Sequence, residues 1–563
     1  MNAGALPPTT WTTGSTEAIR TGTWRAFLPR YVSAPSPCHA ACPVSGDIAQ
    51  WIGLARERDF RGAWETLTIN NPFPSIAGRI CHHPCETACN RAGFDESLAI
   101  CKLERHVGDV ALAQGWSFAA PAAERAERVA VIGGGPSGLS AAFQLRRLGY
   151  QVTLFESMPR LGGLMRYGIP AYRLSRDVLD GEIARIVAMG VEVRCNAAVD
   201  DEASLARVRA SHDAVYVAVG ARRQKRLPQL DPGEPWVVDG ARYLAQANDE
   251  AAPKLGRRVV VIGGGSAAMD AARSALRAGH EVTVLSLERR SQMPAHADEV
   301  DEAIEEGIAL CDGAMLERAR AANGAVSLEC VRVNFVAGAE RGQFRVEPIE
   351  QSAFTIEADA IITSIGQDPD LAPYPEAFGR SGALLGVNAR LATSVERVYA
   401  GGDVASMDRF VTEAVGMGKR AALSIHRELS GAAGATLGPA STRESPPELF
   451  ADIDRLVGLE RIATAYYPPA ERAPSRRIDL ERRVTTDAEV QLGFDLDQAL
   501  AETTRCFSCG NCIRCDNCFQ YCPDLAIRRV PGGYEVLTDY CKGCGVCVRE
   551  CPTGSMEMVE ELR

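Results

Sequence analysis

The sequence predicts a multidomain chain: an N-terminal α-helical cysteine domain, two Rossmann-like α/β nucleotide-binding domains, and a small α+β domain at the C-terminus. Three observations carry this prediction. The 563 residues exceed what one core usually organises, at roughly 150 residues per domain. A strand, glycine turn, helix and strand pattern opens at Arg128 and returns at Arg257. The 19 cysteines are polarised: six lie from Cys38 to Cys101, ten from Cys506 to Cys551, and only Cys195, Cys311 and Cys330 lie between.

Composition narrows the function classes. Apolar residues make up 46% and charged residues 24%, ordinary values for packed domains. A net charge of -11 argues against a nucleic-acid binder that works by phosphate neutralisation. No apolar run approaches the roughly 18 residues of a membrane span, and the start MNAGALPPTTWTTGSTEAIRTG lacks the charged-then-apolar order of a secretory signal. A soluble, cytoplasmic protein is therefore expected. In a reducing compartment its cysteines serve as free thiols or metal ligands rather than disulfides.

Taken in order, residues 1–34 are rich in Thr, Pro, Gly and Ala and predict an extended arm. The stretch DIAQWIGLARERDFRGAWETL places Ile48, Ile52, Leu54, Ala55, Trp64 and Leu67 on roughly one helical face, within a helical domain over 35–115. RVAVIG, GGPSGLSAAFQLRRLG and YQVTLFE open the first nucleotide domain, expected in two segments, 126–250 and 360–430. RRVVVIG, GGSAAMDAARSALRAG and HEVTVLS open the second, expected over 251–359. SGAAGATLGPASTRESPP reads as a linker, extended here to 431–500, before the last domain at 501–563.

Gly133, Gly135 and Gly138 permit the tight turn, close pyrophosphate approach and close helix packing of a dinucleotide site. Glu156 ends the next strand, where a carboxylate meets ribose hydroxyls. An incidental glycine turn would lack both the strand context and the acid. Gly263, Gly265 and Ala268 repeat the motif with alanine third. Two such folds suggest two nucleotides and flavin chemistry, since hydride transfer between nicotinamide and isoalloxazine needs positioning and no obligatory side chain. No catalytic residue is nominated. Asp403 in VYAGGDVA suits a bond to a ribityl or phosphate-linked hydroxyl, or an ordinary Gly-Asp turn.

The C-terminal cysteines carry the most specific pattern. Cys512, Cys515, Cys518 and Cys522-Pro523 spell C-x2-C-x2-C-x3-C-P, and Cys541, Cys544, Cys547 and Cys551-Pro552 repeat it. This run houses two 4Fe-4S clusters in a bacterial-ferredoxin-like domain, the fourth cysteine of each run serving the other cluster. Hence Cys512, Cys515, Cys518 and Cys551 form one expected set, and Cys541, Cys544, Cys547 and Cys522 the other. Zinc is the competing reading of paired cysteines, but two complete runs with both prolines disfavour it. Near the N-terminus, Cys38 and Cys42, and Cys81, Cys85 and Cys89, recur one helical turn apart and suggest metal ligation. His82 and His83 read as solvated or supporting residues, and the three scattered cysteines as ordinary thiols.

From about Cys38 to Ile425 the chain resembles the small subunit of glutamate synthase and its relatives, including the N-terminal half of dihydropyrimidine dehydrogenase and the large subunit of NADH-dependent ferredoxin:NADP oxidoreductase. CHAACPVSGDI, GRICHHPCETAC, ICKLER, VAVIGGGPSGL, GGLMRYGIPAYRL, VVIGGGSAAMDAAR and AGGDVA carry the likeness. The resemblance implies FAD at the first fold, contacted by Gly133, Gly135, Gly138, Glu156, Gly163 and Asp403, and a nicotinamide nucleotide at the second. It also implies one or two N-terminal 4Fe-4S clusters, with Glu104 completing one beside Cys42, Cys81 and Cys85. Cys101 is the alternative to Glu104.

Two departures from the family matter. Relatives place a Cys-x-x-Cys just before the cysteine matching Cys38, whereas RYVSAPSPC has none. Cys506 and Cys509, surplus to the C-terminal runs, are expected to fold back and join Cys38 and Cys89; a free or local pair is the alternative. Relatives that use NADPH carry Tyr-Arg-Arg-Ser/Thr-Arg after the second strand of the second fold. Here Ser286, Leu287, Glu288, Arg289 and Arg290 stand there, so NADH is favoured. The function implied is an electron-transfer flavoprotein subunit of a hetero-oligomer, its partner a larger catalytic redox subunit or a ferredoxin. A freestanding NAD(P)H:ferredoxin oxidoreductase and a non-catalytic redox sensor or scaffold are the alternatives.

Overall fold

The structure, a computed structural model, describes residues 25–322, 325–339, 342–431 and 456–561. The apolar stretch near the N-terminus forms two helices, Ile48–Arg56 and Phe60–Thr68, rather than one continuous face. Arg58 turns the chain at φ 63°, and Asp59 caps the second helix by accepting the Gly62 N–H at 2.9 Å. Trp51, Ile52, Trp64 and Leu67 then bury against Leu103 and Val107 of the Ile100–Ala113 helix.

Both nucleotide domains are five-stranded parallel sheets. In the first the strand order is Val398–Ala400, Ala214–Val217, Arg128–Ile132, Gln151–Phe155 and Glu192–Arg194. The second runs Ala309–Cys311, Glu281–Leu285, Arg258–Ile262, Ala360–Thr363 and Val237–Asp239. The central strands read RVAVI and RVVVI because a parallel sheet is covered on both faces. The second domain is wider than the expected 251–359. It recruits Val237–Asp239, the Gly240–Asn248 helix and Ala360–Thr363 from the flanking segments, since Tyr243 and Leu244 belong to its core. An antiparallel sheet of Ala314–Ala322, Ala325–Ala337, Phe344–Pro348 and Phe354–Ala358, not expected from the sequence, packs Leu316, Val326 and Leu328 against Val260 and Ile262.

Close backbone contact seats the cysteine domain on the first nucleotide domain. The Val411–Leu429 helix carries Gly416 and Gly418, where a Cβ would lie 2.2 Å from the Pro43 and Ser137 carbonyl oxygens, respectively. Cys42 is thereby held beside the glycine-turn helix Pro136–Arg147.

The chain's ends depart most from expectation. Within the arm expected over 1–34, Phe27–Tyr31 is a strand paired antiparallel with Met556–Glu560 in the C-terminal domain. Arg25 donates to the Cys541 carbonyl at 2.8 Å and pairs with Glu561 at 2.6 Å. Within the expected linker 431–500, residues 432–455 lie outside the described residues, while those from 456 onward form a strap across the other domains. Glu489 accepts from Arg79 at 2.7 Å, Arg105 at 2.8 Å and the Ser175 N–H at 2.9 Å. Glu502 accepts from the Ala99 N–H at 2.8 Å, and Arg477 and Arg483 pair with Glu305 of the second nucleotide domain. The strap is largely polar, and its buried apolar residues, Val457, Ile462, Val490, Phe494 and Ala499, show no period that would announce it. Among the described residues no helix is long and apolar enough to cross a membrane.

Glu489→Ala leaves two buried guanidinium groups short of a partner, at a cost on the order of 3 kcal/mol because Asp109 still pairs with both. Calorimetry will show an earlier first transition, and proteolysis will open the strap faster; an unchanged scan refutes this role for Glu489.

Candidate functional site

A cavity of about 1930 Å³ is lined by both glycine turns. Ordinary small-molecule pockets span roughly 300–1,000 Å³, so this one accommodates two nucleotides. The two turns are built alike. Gly133 and Gly263 sit at φ 109° and 143°, and a Cβ on either would lie 2.3 Å from a carbonyl oxygen of the neighbouring strand end, Ala218 or Ser364. At Gly135 an added Cβ would meet only the Gly163 Cα at 3.8 Å, and at Gly265 nothing within 4 Å. Those openings lie over the N-termini of Pro136–Arg147 and Ser266–Arg277, where helix N–H groups favour a pyrophosphate. Gly138 packs so tightly that a Cβ would come 1.9 Å from the Gly133 carbonyl oxygen, whereas Ala268 occupies the same place in the second fold.

Each turn has its acid. The Glu156 carboxylate accepts from the N–H groups of Gly134 and Met158, both at 2.8 Å. The Glu288 carboxylate accepts from the Ser286 hydroxyl at 2.5 Å and lies 2.6 Å from where a Gly264 Cβ would stand. Glu156, Glu288, Gly163 and Asp403 all line the cavity. Arg289 and Arg290 are absent from its lining; they turn toward Asp312 and Asp301 on the surface. The donor set and the two open cradles fit a pair of dinucleotides.

The cysteines gather into four sets. Burial pushes the Cys42 thiol up to about 11 and Cys81 to about 12, with the Glu104 carboxylate adding to both. Cys85 is raised by burial and by Cys42 and Cys81. Glu104, pushed to about 7 by burial, accepts from Asn71 at 2.8 Å. Cys101 instead directs its buried thiol at the Ala77 carbonyl, 3.6 Å away. Cys38 is raised by burial and by its neighbours Cys509, Cys89 and Cys506, so the second set spans both chain ends. Cys518 is pushed up to about 12 by burial together with Cys551, Cys512 and Cys515, and Cys547 to about 12 by burial together with Cys541, Cys522 and Cys544. Cys551 thus lies beside Cys512, Cys515 and Cys518, and Cys522 beside Cys541, Cys544 and Cys547.

Among the described residues no three His, Cys, Asp or Glu side chains converge as a single metal ion requires. Sets of four cysteines, or of three cysteines and a carboxylate, suit by their donor chemistry a four-iron cluster. His83 serves the first set through its backbone, donating N–H to the Cys81 sulfur at 3.4 Å, while its ring lies edge-on to His296. His82 stacks on Phe410. Sequence reasoning missed Asn71, Asn90, which donates to the Cys509 sulfur at 3.3 Å, and Tyr467, which touches the Cys506–Cys509 loop. Their roles are set by distant chain segments, and no local pattern marks them.

Comparison with known proteins gives matches over most of the chain. Residues 127–418 match the pyridine nucleotide-disulphide oxidoreductase family, 31–116 the dihydropyrimidine dehydrogenase domain II with its 4Fe-4S cluster, and 534–557 a 4Fe-4S binding domain. The beta subunit of NADP(+)-dependent formate dehydrogenase from Moorella thermoacetica is 34% identical over 512 residues, 84% of this chain and 70% of that protein. Subunit PreT of NAD-dependent dihydropyrimidine dehydrogenase from Salmonella typhimurium is 33% identical over 399 residues, covering 70% and 91%. The glutamate synthase [NADPH] small chain of Azospirillum brasilense is 32% identical over 413 residues, covering 69% and 85%.

Gly138→Ala tests the first cradle. The added methyl must push the helix off the Gly133 carbonyl, and an overpacking cost of about 1–3 kcal/mol weakens flavin binding about fivefold or more. Flavin absorbance per chain after purification measures it, and full occupancy would contradict the close-packing role.

Proposed function

The chain belongs to the pyridine nucleotide-disulphide oxidoreductase family, as an NAD(P)H-dependent flavin iron-sulfur electron-transfer protein, and on that premise we propose that it couples NADH to a larger catalytic redox subunit. When bound, FAD supplies the exchange between two-electron hydride transfer and the one-electron chemistry of 4Fe-4S clusters. The chain's residues supply position. The cradle of Gly133, Gly135 and Gly138, with Glu156, Gly163 and Asp403, holds FAD. Gly263, Gly265 and Ala268 hold the nicotinamide nucleotide across the same cavity. Cys81 also lines that cavity, so the set of Cys42, Cys81, Cys85 and Glu104 is the cluster site next to the flavin. This is the observation that carries the reading: two nucleotide cradles and the edge of a cluster site share one space.

Preference for NADH rests on Glu288. A carboxylate at the end of the second strand accepts ribose hydroxyls and repels a 2'-phosphate. The two arginines able to attract that phosphate are engaged by Asp312 and Asp301.

The reading puts the partner's docking face at the far end. Cys515 and Cys544 are exposed, and beside their runs Leu525 is 77% and Tyr521 53% exposed. Large apolar side chains around surface cluster ligands suit a redox subunit that must approach closely.

Dye reduction by the chain will show a higher kcat/KM for NADH than for NADPH. Leu287→Arg with Glu288→Arg will move that ratio at least tenfold toward NADPH, and wild-type preference for NADPH sinks the assignment. Cys515→Ser with Cys544→Ser will abolish transfer to the native partner. Continued transfer at the wild-type rate means electrons leave elsewhere.

A further inference from the structure

We propose that Cys38, Cys89, Cys506 and Cys509 hold a fourth 4Fe-4S cluster shared between the two ends of the chain, and that it is the middle link of a single file of clusters. The proposal rests on the reading above that the chain carries clusters; the shared site and its place in the file are new to it.

Geometry brings the four thiols together from three distant segments. Cys38 begins beside the Ser36 cap of the Pro37–Ala41 helix, with Ser36 Oγ 3.1 Å from its sulfur. Cys89 follows the Pro84–Thr87 turn. Cys506 and Cys509 follow the Leu496–Thr504 helix, and their loop is locked from several sides. Arg91 donates to the Arg505 carbonyl at 2.7 Å, and Arg505 to the Glu96 carbonyl at 2.7 Å. Asn90 bridges the Val457 carbonyl at 2.7 Å and the Cys509 sulfur at 3.3 Å. At Gly510, φ 69°, a Cβ would lie 1.9 Å from the Ala34 carbonyl oxygen, so the loop is pressed onto the segment leading to Cys38.

The loop also has the form of a cluster ligand loop. Ser508, two residues after Cys506, takes φ 51° and donates its N–H to the Cys506 sulfur at 3.4 Å. Arg514 does the same for Cys512 and Gly543 for Cys541, each at 3.4 Å. A free Cys-x-x-Cys has no need of that turn; a ligand sulfur bearing negative charge does.

The order of the file follows from neighbours. Cys81 lines the nucleotide cavity, and Cys85 of the same set lies within electrostatic reach of Cys38. Tyr467 lies beside Cys506, Cys509 and Cys551, and its hydroxyl donates to the Phe507 and Pro552 carbonyls at 3.0 and 3.2 Å. Gly510 N–H donates to the Thr553 carbonyl at 2.6 Å, joining the shared site to the Cys551 loop. Cys518 of that set neighbours Cys547 of the last. The file therefore runs from the Cys42 set through the shared set to the Cys512 set and then the Cys541 set. With FAD and the clusters bound, oxidation of NADH to NAD+ and a proton would deliver two electrons to the flavin, and the file would carry them one at a time to an external one-electron acceptor of the redox-protein class.

The test uses the full chain, reconstituted with iron and sulfide. Wild type will carry about sixteen iron atoms, and Cys506→Ser with Cys509→Ser about twelve. In that variant, electron paramagnetic resonance will show the C-terminal clusters still reduced by dithionite but reduced by NADH at least tenfold more slowly. Should the variant fail to fold, thiol alkylation of the wild type decides: Cys38, Cys89, Cys506 and Cys509 will all be protected when iron-loaded and labelled after chelation. Labelling of any of the four in loaded protein, or an unchanged iron count in the variant, overturns the proposal. A wild-type count near twelve with flavin reduction by NADH intact would remove the shared cluster alone and leave the proposed function standing.

Discussion

Two buried guanidinium groups, Arg79 and Arg105, share the Glu489 carboxylate, and the arrangement of the domains depends on that clamp. Their side chains are only 5% and 6% exposed, so neither can be left without a partner. The strap that supplies Glu489 cannot peel away without leaving both guanidinium groups to share Asp109 alone. From this anchor the same strap reaches the first nucleotide domain through Ser175, the second through Glu302 and Glu305, and the C-terminal domain through Arg505 and the loop beyond it. This polar contact adds to the apolar packing of Phe494 and Ala499 in the cysteine-domain core. Buried ion pairs add little net stability over an apolar isostere. What this one adds is placement, because a shifted strap takes the Glu489 carboxylate away from Arg79, Arg105 and the Ser175 N–H together.

Two copies of one turn geometry meet different electrostatic settings. Glu156 is held by two backbone N–H groups, which fix its carboxylate before any ligand arrives. Glu288 is held by the Ser286 hydroxyl, a donor that can rotate. The first setting matches a resident cofactor and the second a nucleotide that enters and leaves, since a preorganised site loses less on binding while an adjustable one releases its ligand more readily. Arg173 joins the two domains by pairing with Asp270 at 2.7 Å and with Glu299, all three lining the cavity, so the spacing between cradles is set by a buried ion pair.

Legibility in the sequence followed the range of the interactions. The glycine turns, Glu156 and the paired cysteine runs could be read because each motif completes its chemistry within a few residues. The return of Cys506 and Cys509 could be read only by counting ligands against the family pattern. The strap carries its specificity in scattered Arg and Glu residues with no period, and it read as linker. FLPRY, at Phe27–Tyr31, is a strand only because Met556–Glu560 offers an edge more than five hundred residues away. The long helical face broke at Arg58 and Asp59 because a capping carboxylate there outweighed the continuity of the apolar pattern. Local chemistry was visible, and tertiary charge pairing was not.

The left-handed residues that follow the cysteines show why those loops belong to one class. His83, Ser508 and Arg514 carry side chains at φ 57°, 51° and 54°, a region that costs L-residues on the order of 1 kcal/mol or more. Only Gly543 occupies it without that cost. Such strain persists where something is gained by it, and in all four places the gain is the same: an N–H directed at a cysteine sulfur two residues back. A neutral thiol is a weak acceptor, so an N–H bond to it would hardly offset the strain; to a thiolate the bond is charge-assisted and roughly twice as strong. The turn at Ser508 directs its N–H at Cys506 as the turn at Arg514 does at Cys512, an arrangement that suits a ligand sulfur. This shared local conformation supports the proposed place of Cys506 among the ligands independently of the thiols it meets.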